Sequence, residues 1–232
     1  MKLSINILSW NTYATLHETL HVLIKELRGI DSEVIIVDNG STDGCERLAT
    51  IRNGENLGIS KGKNQGIDTS KGDYILLLDG DIIPVPNSIV CLVAYLDAHP
   101  ECQAIGFLPN KFTNRKEEAE ERCENLEPVE RYYGHCIYYG LYRRELFDKI
   151  KFDEQYGPGY GWEDLDFFMQ MQSNGISQWV AGINHSAGRY YHQINSSLKK
   201  DCLGSQMNIE TVNERKEIFD RKWEKNVKQN PA

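Results

Sequence analysis

Through its first half the chain alternates short apolar runs with stretches whose apolar residues recur every three or four positions, the pattern of a parallel sheet with crossover helices. Residues 4–9 are the first apolar run, and Glu33-Val34-Ile35-Ile36-Val37-Asp38 is a second that ends in a carboxylate. Between them Leu16, Leu20, Leu23, Ile24 and Leu27 keep helical spacing. Thr15-Leu16-His17-Glu18 has the form of a capping box for that helix, and Gly29 stops it. Asn39-Gly40-Ser41-Thr42-Asp43-Gly44 reads as a turn, with a short helix through Arg47 and Leu48 after it. Residues 53–66 are rich in Gly, Asn and Lys, and Tyr74-Ile75-Leu76-Leu77-Leu78 predicts a central strand.

Pro84 and Pro86 break the chain, Asn87 is placed to cap a helix running to about His99, and residues 104–108 predict another strand. The charge-crowded residues 114–130 admit two readings, a solvated helix or loop and a mobile loop beside an acceptor site. Near the end, Ile209, Val212, Ile218, Phe219 and Trp223 among charges predict an amphipathic helix packed on the domain. With no internal repeat or flexible linker, one α/β domain is expected.

Composition adds exclusions. At 232 residues, 40% hydrophobic and 26% charged, the chain has the makeup of a globular domain, and a net charge of −8 disfavours a general phosphate-backbone binder. The start of the chain lacks the apolar region of a signal peptide, and no run reaches the ~18 apolar residues of a membrane span, so a cytoplasmic protein is expected. The six cysteines form no Cys-x-x-Cys pair, which points to reduced thiols rather than a thiolate zinc site.

The chemistry concentrates at strand ends. Asp79 and Asp81 flank Gly80 just after a buried strand, so in extended chain both face one side, where open α/β sheets bind ligands. They are either a polar turn or a hard oxygen pair for Mn²⁺ or Mg²⁺ beside phosphate, with Gly80 allowing close approach. Asn56-Leu57-Gly58 through Lys61, Lys63 and Asn64 offers backbone N–H groups and ammonium charge for a diphosphate or a nearby acid. Further on, a glycine loop carrying Tyr160 and Trp162 leads into Glu163-Asp164-Leu165-Asp166 at a helix start. The helix macrodipole alone would favour those acids; the sharper reading is a general base beside an aromatic acceptor surface. His185 and His192 are structural, or His192 completes a metal shell.

Together and in this order, the segments resemble the family 2 inverting glycosyltransferases of the GT-A fold. Residues 34–44 resemble that family's second-strand motif, 56–66 its Asn-x-Gly and Arg-Asn-x-Gly elements with Lys63 for Arg, and Asp79-Gly80-Asp81 its metal motif. Gly161-Trp162-Glu163-Asp164, after Phe152-Asp153-Glu154, is similar to the Trp-Gly-Gly-Glu-Asp loop of β-1,4-galactosyltransferases and chondroitin-type polymerases, although Leu165 interrupts their run of three Asp.

The resemblance implies a mixed, Rossmann-like sheet flanked by helices in a domain of residues 1–205, with 1–110 binding the nucleotide sugar and 111–205 the acceptor, and a helical extension at 206–232. Ser9, Asn11, Asp38, Asn56, Gly58, Lys61, Lys63, Asn64, Asp79 and Gly80 would hold the donor, a UDP-sugar by preference. Asp81, Asp79 and His192 would hold Mn²⁺ or Mg²⁺. Tyr160, Trp162 and Asp166 would line the acceptor, and Asp164 would be the base beside Glu163. The acceptor is a glycan, lipid-linked sugar or protein, with a modified nucleic-acid base as an alternative. Two rivals from other classes are a catalytically silent sugar-nucleotide-binding module and a haloacid-dehalogenase-type phosphatase.

Overall fold

A computed structural model describes residues 1–84, 86–107, 128–129, 139–159, 161–176, 178–181, 191–192 and 209–229. Tyr160, His185, most of residues 114–130 and the 205/206 boundary lie outside them. The first half runs β1 (Leu3–Ser9), α1 (Tyr13–Glu26), β2 (Ser32–Asp38), β3 (Ile51–Arg52), α2 (Ile59–Thr69), β4 (Tyr74–Asp79), β5 (Ile82–Ile83) and α3 (Ser88–Ala98). It is followed by β6 (Ala104–Phe107), β7 (Pro128–Val129), β8 (Tyr139–Arg143), α4 (Glu163–Ser173), β9 (Gln178–Ala181), β10 (Tyr191–His192) and α5 (Ile209–Gln229).

Among the described residues the main sheet has eight strands in the order β3-β2-β1-β4-β8-β6-β9-β7. β1 lies between β2 and β4 and parallel to both, while β8 runs antiparallel to β4, so the sheet is mixed as expected. Helices cover both faces. Leu3, Ile5 and Ile7 join Leu76 and Leu78 in a core closed by Leu16 and Leu23 of α1 and Leu92 and Leu96 of α3. Ile75 and Leu77 point to the other face, under Ile67 of α2 and Phe167 and Met171 of α4.

The register of β1 is fixed from both sides. Two residues between its aliphatics, Ser4 and Asn6, are polar yet buried, and each is paired: Ser4 Oγ accepts from Gly72 N at 2.8 Å, and Asn6 Nδ2 donates to Ser70 Oγ at 3.0 Å. A one-residue slip would take Leu3, Ile5 and Ile7 out of the core, about 1.5–3 kcal/mol each, and tear Ser4 and Asn6 from their partners.

One local expectation is corrected, and one helix appears where composition alone had been noted. The Thr15–Glu18 box does not open α1, which starts at Tyr13 because the Asp43 carboxylate, from the loop after β2, accepts the Tyr13 N–H at 2.8 Å. A cap from 30 residues away replaces the local one. Residues 53–66, distinguished in sequence by Gly, Asn and Lys, contain most of helix α2. Interior glycine costs a helix about 1 kcal/mol relative to Ala, but a Cβ at Gly62 would sit 2.4 Å from Leu8 Cδ1 of β1. Close seating of helix on strand is what the glycine supplies.

The expected terminal helix is α5, and it grips α4 through a buried carboxylate. Asp166 is 0% exposed, and its oxygens accept from Trp223 Nε1 at 2.8 Å, Lys222 Nζ at 2.9 Å and Gln170 Nε2 at 2.7 Å. Lys222 also reaches Asp153 at 2.7 Å. Asp166, expected at the acceptor, is instead fully buried and has both its oxygens engaged by α5 and by Gln170 of α4. No helix among the described residues is long and apolar enough to cross a membrane.

Removing one partner from a buried ionic cluster leaves the others desolvated and unpaired. Asp166→Ala is expected to lower the unfolding free energy by about 3 kcal/mol, read from equilibrium urea denaturation; a loss below about 1 kcal/mol, the worth of an exposed pair, would show that the cluster is solvated.

Candidate active site

The carboxyl ends of β1, β2 and β4 converge at one edge of the sheet. Asp38, the last residue of β2, is 1% exposed. Its Oδ2 accepts from Ser41 N at 3.3 Å, while its buried Oδ1 meets no donor among the described residues. Buried polar atoms are rarely left so, and an acceptor waiting at a strand end is suited to an N–H or O–H of a ligand. The residue after it, Asn39, was not foreseen and organises the neighbouring loop: its Oδ1 accepts from Leu57 N at 3.0 Å, and its Nδ2 donates to Asn56 Oδ1 at 2.9 Å and to Gly58 O at 3.2 Å.

Several expected donor contacts serve this scaffold instead. The Ser9 hydroxyl is fully buried between Thr12 Oγ1 at 2.8 Å and Cys45 Sγ at 3.1 Å, out of reach of a nucleoside. Asn11, at φ 54°, accepts from Thr42 N at 2.8 Å and pins the turn after β2. Asn56 Oδ1 turns back to Gly58 N at 2.9 Å. Asn64 is committed to the distant 152–154 segment, taking Phe152 N at 3.2 Å and giving Nδ2 to Phe152 O and Glu154 Oε1, both at 2.9 Å. A Cβ on Gly80 would lie 2.7 Å from Thr12 Oγ1 and 3.0 Å from Leu8 O, so its bareness admits the end of β1 rather than a ligand.

Asp79 and Asp81 emerge where expected. Lys63, 3% exposed, sets its ammonium 2.6 Å from Asp79 Oδ1, so of the two roles open to it the nearby acid is the one seen. Lys61 is exposed on the first turn of α2. Asp81 is half-buried just before β5, and β10 pairs antiparallel with β5 so that the His192 backbone lies opposite Ile82. A histidine from 111 positions downstream is thus brought to the strand next to Asp81, although its side chain lies outside the described residues. Among those described, no three His, Cys, Asp or Glu side chains form a metal-like group.

The second half closes on the first at Gly58. This residue has φ 91°, and a Cβ there would sit 2.2 Å from Gly157 O and 3.0 Å from Pro158 N. Backbone touches backbone, and the loop that leads to α4 lies against the loop that opens α2. From there Trp162, a non-glycine residue at φ 74°, turns the chain into α4, whose first turn carries Glu163 and Asp164. Asp164 is half-buried, open on one side, with Oδ1 accepting from Leu165 N at 2.8 Å. Glu163 is 5% exposed and faces inward. Burial pushes its carboxyl up to about 7, the adjacent Asp164 charge adds to this, and Arg215, with NH1 4.0 Å away, pulls back without prevailing.

Arg215, 2% exposed on α5, is the second residue the sequence reading missed. Its signal was present: it falls on the apolar stripe of Val212, Phe219 and Trp223, where a charge is out of place. Phe219 also lies against Trp162, with ring centroids 5.2 Å apart, and Lys216 Nζ sits 5.7 Å from the Trp162 ring. One flank of Trp162 is therefore taken by α5.

A mixed sheet of this order, with acids and a buried lysine at the carboxyl ends of its parallel strands, is of the GT-A class. Residues 4–160 match the model of glycosyl transferase family 2, and the chain belongs to that family. It is similar to the abequosyltransferase RfbV of Salmonella typhimurium, 24% identical over 194 residues that cover 69% of this chain and 58% of RfbV. It is also similar to the uncharacterized glycosyltransferase YfnE of Bacillus subtilis, 32% identical over 99 residues, 38% of this chain and 25% of YfnE. Among solved structures, S. aureus TarS 1-349 superposes with a TM-score of 0.63 at 19% identity, over 84% of this chain and 61% of TarS. Its complex with UDP-GlcNAc gives 0.61 at 19%, over 82% and 58%. Likeness at that identity shows the fold, and the chain spans less than two thirds of each of these relatives.

The raised Glu163 value has a consequence for stability. The folded protein keeps a proton that the unfolded chain releases near 4.5, so this contribution is whole below pH 4.5 and is lost as pH rises through about 7. Glu163→Gln does not titrate; relative to wild type it is expected to gain up to about 3 kcal/mol between about pH 5 and about pH 8 in urea unfolding. A difference independent of pH would place the Glu163 carboxyl in water.

Proposed function

We propose that this chain transfers a sugar from a nucleotide-diphosphate donor, a UDP-sugar, to an acceptor hydroxyl with inversion at the anomeric carbon. The observation that carries the reading is the backbone contact of Gly58 with Gly157 and Pro158, which draws the loop before Asp164 onto the loop before Lys63 and Asp79. Membership of glycosyl transferase family 2 supports it. So do the solved complexes of S. aureus TarS with UDP and UDP-GlcNAc, which supply the preference for uridine.

In this reading Asp38 Oδ1 receives a donor from the nucleoside, and the exposed Lys61 faces phosphate. Asp164 takes the proton of the acceptor hydroxyl as its oxygen attacks the anomeric carbon; the bond to the β-phosphate oxygen breaks and the nucleoside diphosphate leaves with the electron pair. Trp162 and Tyr160 form the acceptor side. The acceptor is a glycan, lipid-linked sugar or protein, since a net charge of −8 works against a nucleic-acid partner.

Mn²⁺ or Mg²⁺ suits the residues at hand. Asp81 offers hard oxygen at a strand end and His192 lies on the strand paired beside it, whereas Asp79 Oδ1 already meets Lys63. When bound, the ion would neutralise charge gathering on the departing diphosphate.

Asp164→Asn is expected to keep UDP binding in calorimetry and to lose on the order of 10²–10⁴ in turnover, followed as slow hydrolysis across a panel of nucleotide sugars. Near-normal turnover would remove Asp164 from the mechanism. Asp81→Ala should weaken Mn²⁺-dependent UDP binding by at least about tenfold, and an unaltered titration would count against Asp81 as a ligand.

A further inference from the structure

Helix α5 was expected as an extension packed on the domain, and a packing helix has no use for a buried guanidinium on its apolar face. Arg215 nevertheless reaches the base of the loop that delivers Asp164. Its NH2 donates to Gly157 O at 2.9 Å. That same NH2 would stand 2.8 Å from a Cβ on Gly159, so the bare residue lets the guanidinium lie close beneath the loop. NH1 is 4.0 Å from Glu163 Oε2, and Nε, NH1 and Oε2 are buried without a hydrogen-bond partner among the described atoms.

Gly157 O is also the atom that Gly58 meets, so one carbonyl is held between the donor-side loop and α5. Further contacts of α5 share this target, beside the Lys222 pair with Asp153. Phe219 and Lys216 lie on Trp162, whose φ of 74° is unusual for a bulky side chain and persists only where neighbours enforce it. Lys222 and Trp223 hold Asp166, one turn into α4. Every one of these residues touches the stretch 157–166, at the centre of which stands Asp164.

We propose that Arg215 is a positioning residue, fixing the 157–163 loop so that Asp164 is presented to the acceptor, and that α5 is thereby a wall of the active site. The guanidinium does this as a rigid fork, one arm on a backbone carbonyl and the other toward the carboxylate preceding the base. It touches neither donor nor acceptor. The catalytic part of this inference rests on the glycosyltransferase reading given above, whereas the structural part does not.

The test compares wild type, Arg215→Met and Arg215→Lys by amide hydrogen exchange and by UDP-GlcNAc hydrolysis with Mn²⁺. In Arg215→Met, peptides covering 157–166 are expected to exchange at least about tenfold faster, with those of β1, β2 and β4 unchanged. Hydrolysis kcat should fall roughly 10²-fold with donor KM within about twofold of wild type. Arg215→Lys, which keeps the charge but not the fork, should recover part of both losses.

Unchanged exchange at 157–166, or acceleration spread evenly over α5 and the sheet, would overturn the proposal, as would a change confined to KM. If the wild type neither binds UDP nor hydrolyses UDP-GlcNAc, the exchange measurement still decides whether Arg215 holds the loop. In that event it is the donor reading that fails.

Discussion

The site depends on one steric fact, that the backbone at Gly58 and the carbonyl of Gly157 come closer than any side chain would permit. In the proposed function the donor side is carried by the ends of β1, β2 and β4 with α2, and the base by α4. Without a contact at that point the two sets would share a sheet but not a cleft. Asn64 reinforces it two turns along α2 by holding Phe152 through both its amide atoms. Polar side chains in this region thus spend their hydrogen bonds on joining the halves, which is why several that looked like ligand contacts are not.

The same economy governs the charges. Asp79 is matched by Lys63 and Asp166 by Lys222, each pair close and largely removed from water. Glu163 has, among the described cations, the longer approach of Arg215, and burial lifts its carboxyl far above the usual glutamate range. Asp164, next in sequence, keeps an open side. Two adjacent carboxylates at one helix start are divided into a buried group and a half-buried one, and their places on the first turn of α4 make that division.

Much of the fold was legible because its signals are local. The apolar runs at 33–38 and 74–78 specify strands whatever surrounds them, and each ends in an acid that the sheet then delivers to its carboxyl edge. The spacing of residues 16–27 and the breaks at Gly29, Pro84 and Pro86 bound the helices nearly as found. Helix α2 was obscured because Gly62 and Gly66 lower local propensity, and their compensation, close seating on β1, is a tertiary gain. The start of α1 was misplaced for a similar reason, since its cap, Asp43, comes from another loop.

The amino-acid sequence by itself determined the α/β class, the order of the elements through β4, the acids at the strand ends and membership of a sugar-transferring family, because these follow from periodicity and from short motifs. Only the tertiary structure decided which motif residues are used within the fold and which face the cleft. Ser9, Asn64 and Asp166 went inward, Asp164 stayed half-buried, and Arg215, in no motif at all, came to lie beneath the loop that leads to α4. A polar side chain's role is set by whichever partner reaches it first, and for these residues most of the partners lie tens of positions away along the chain.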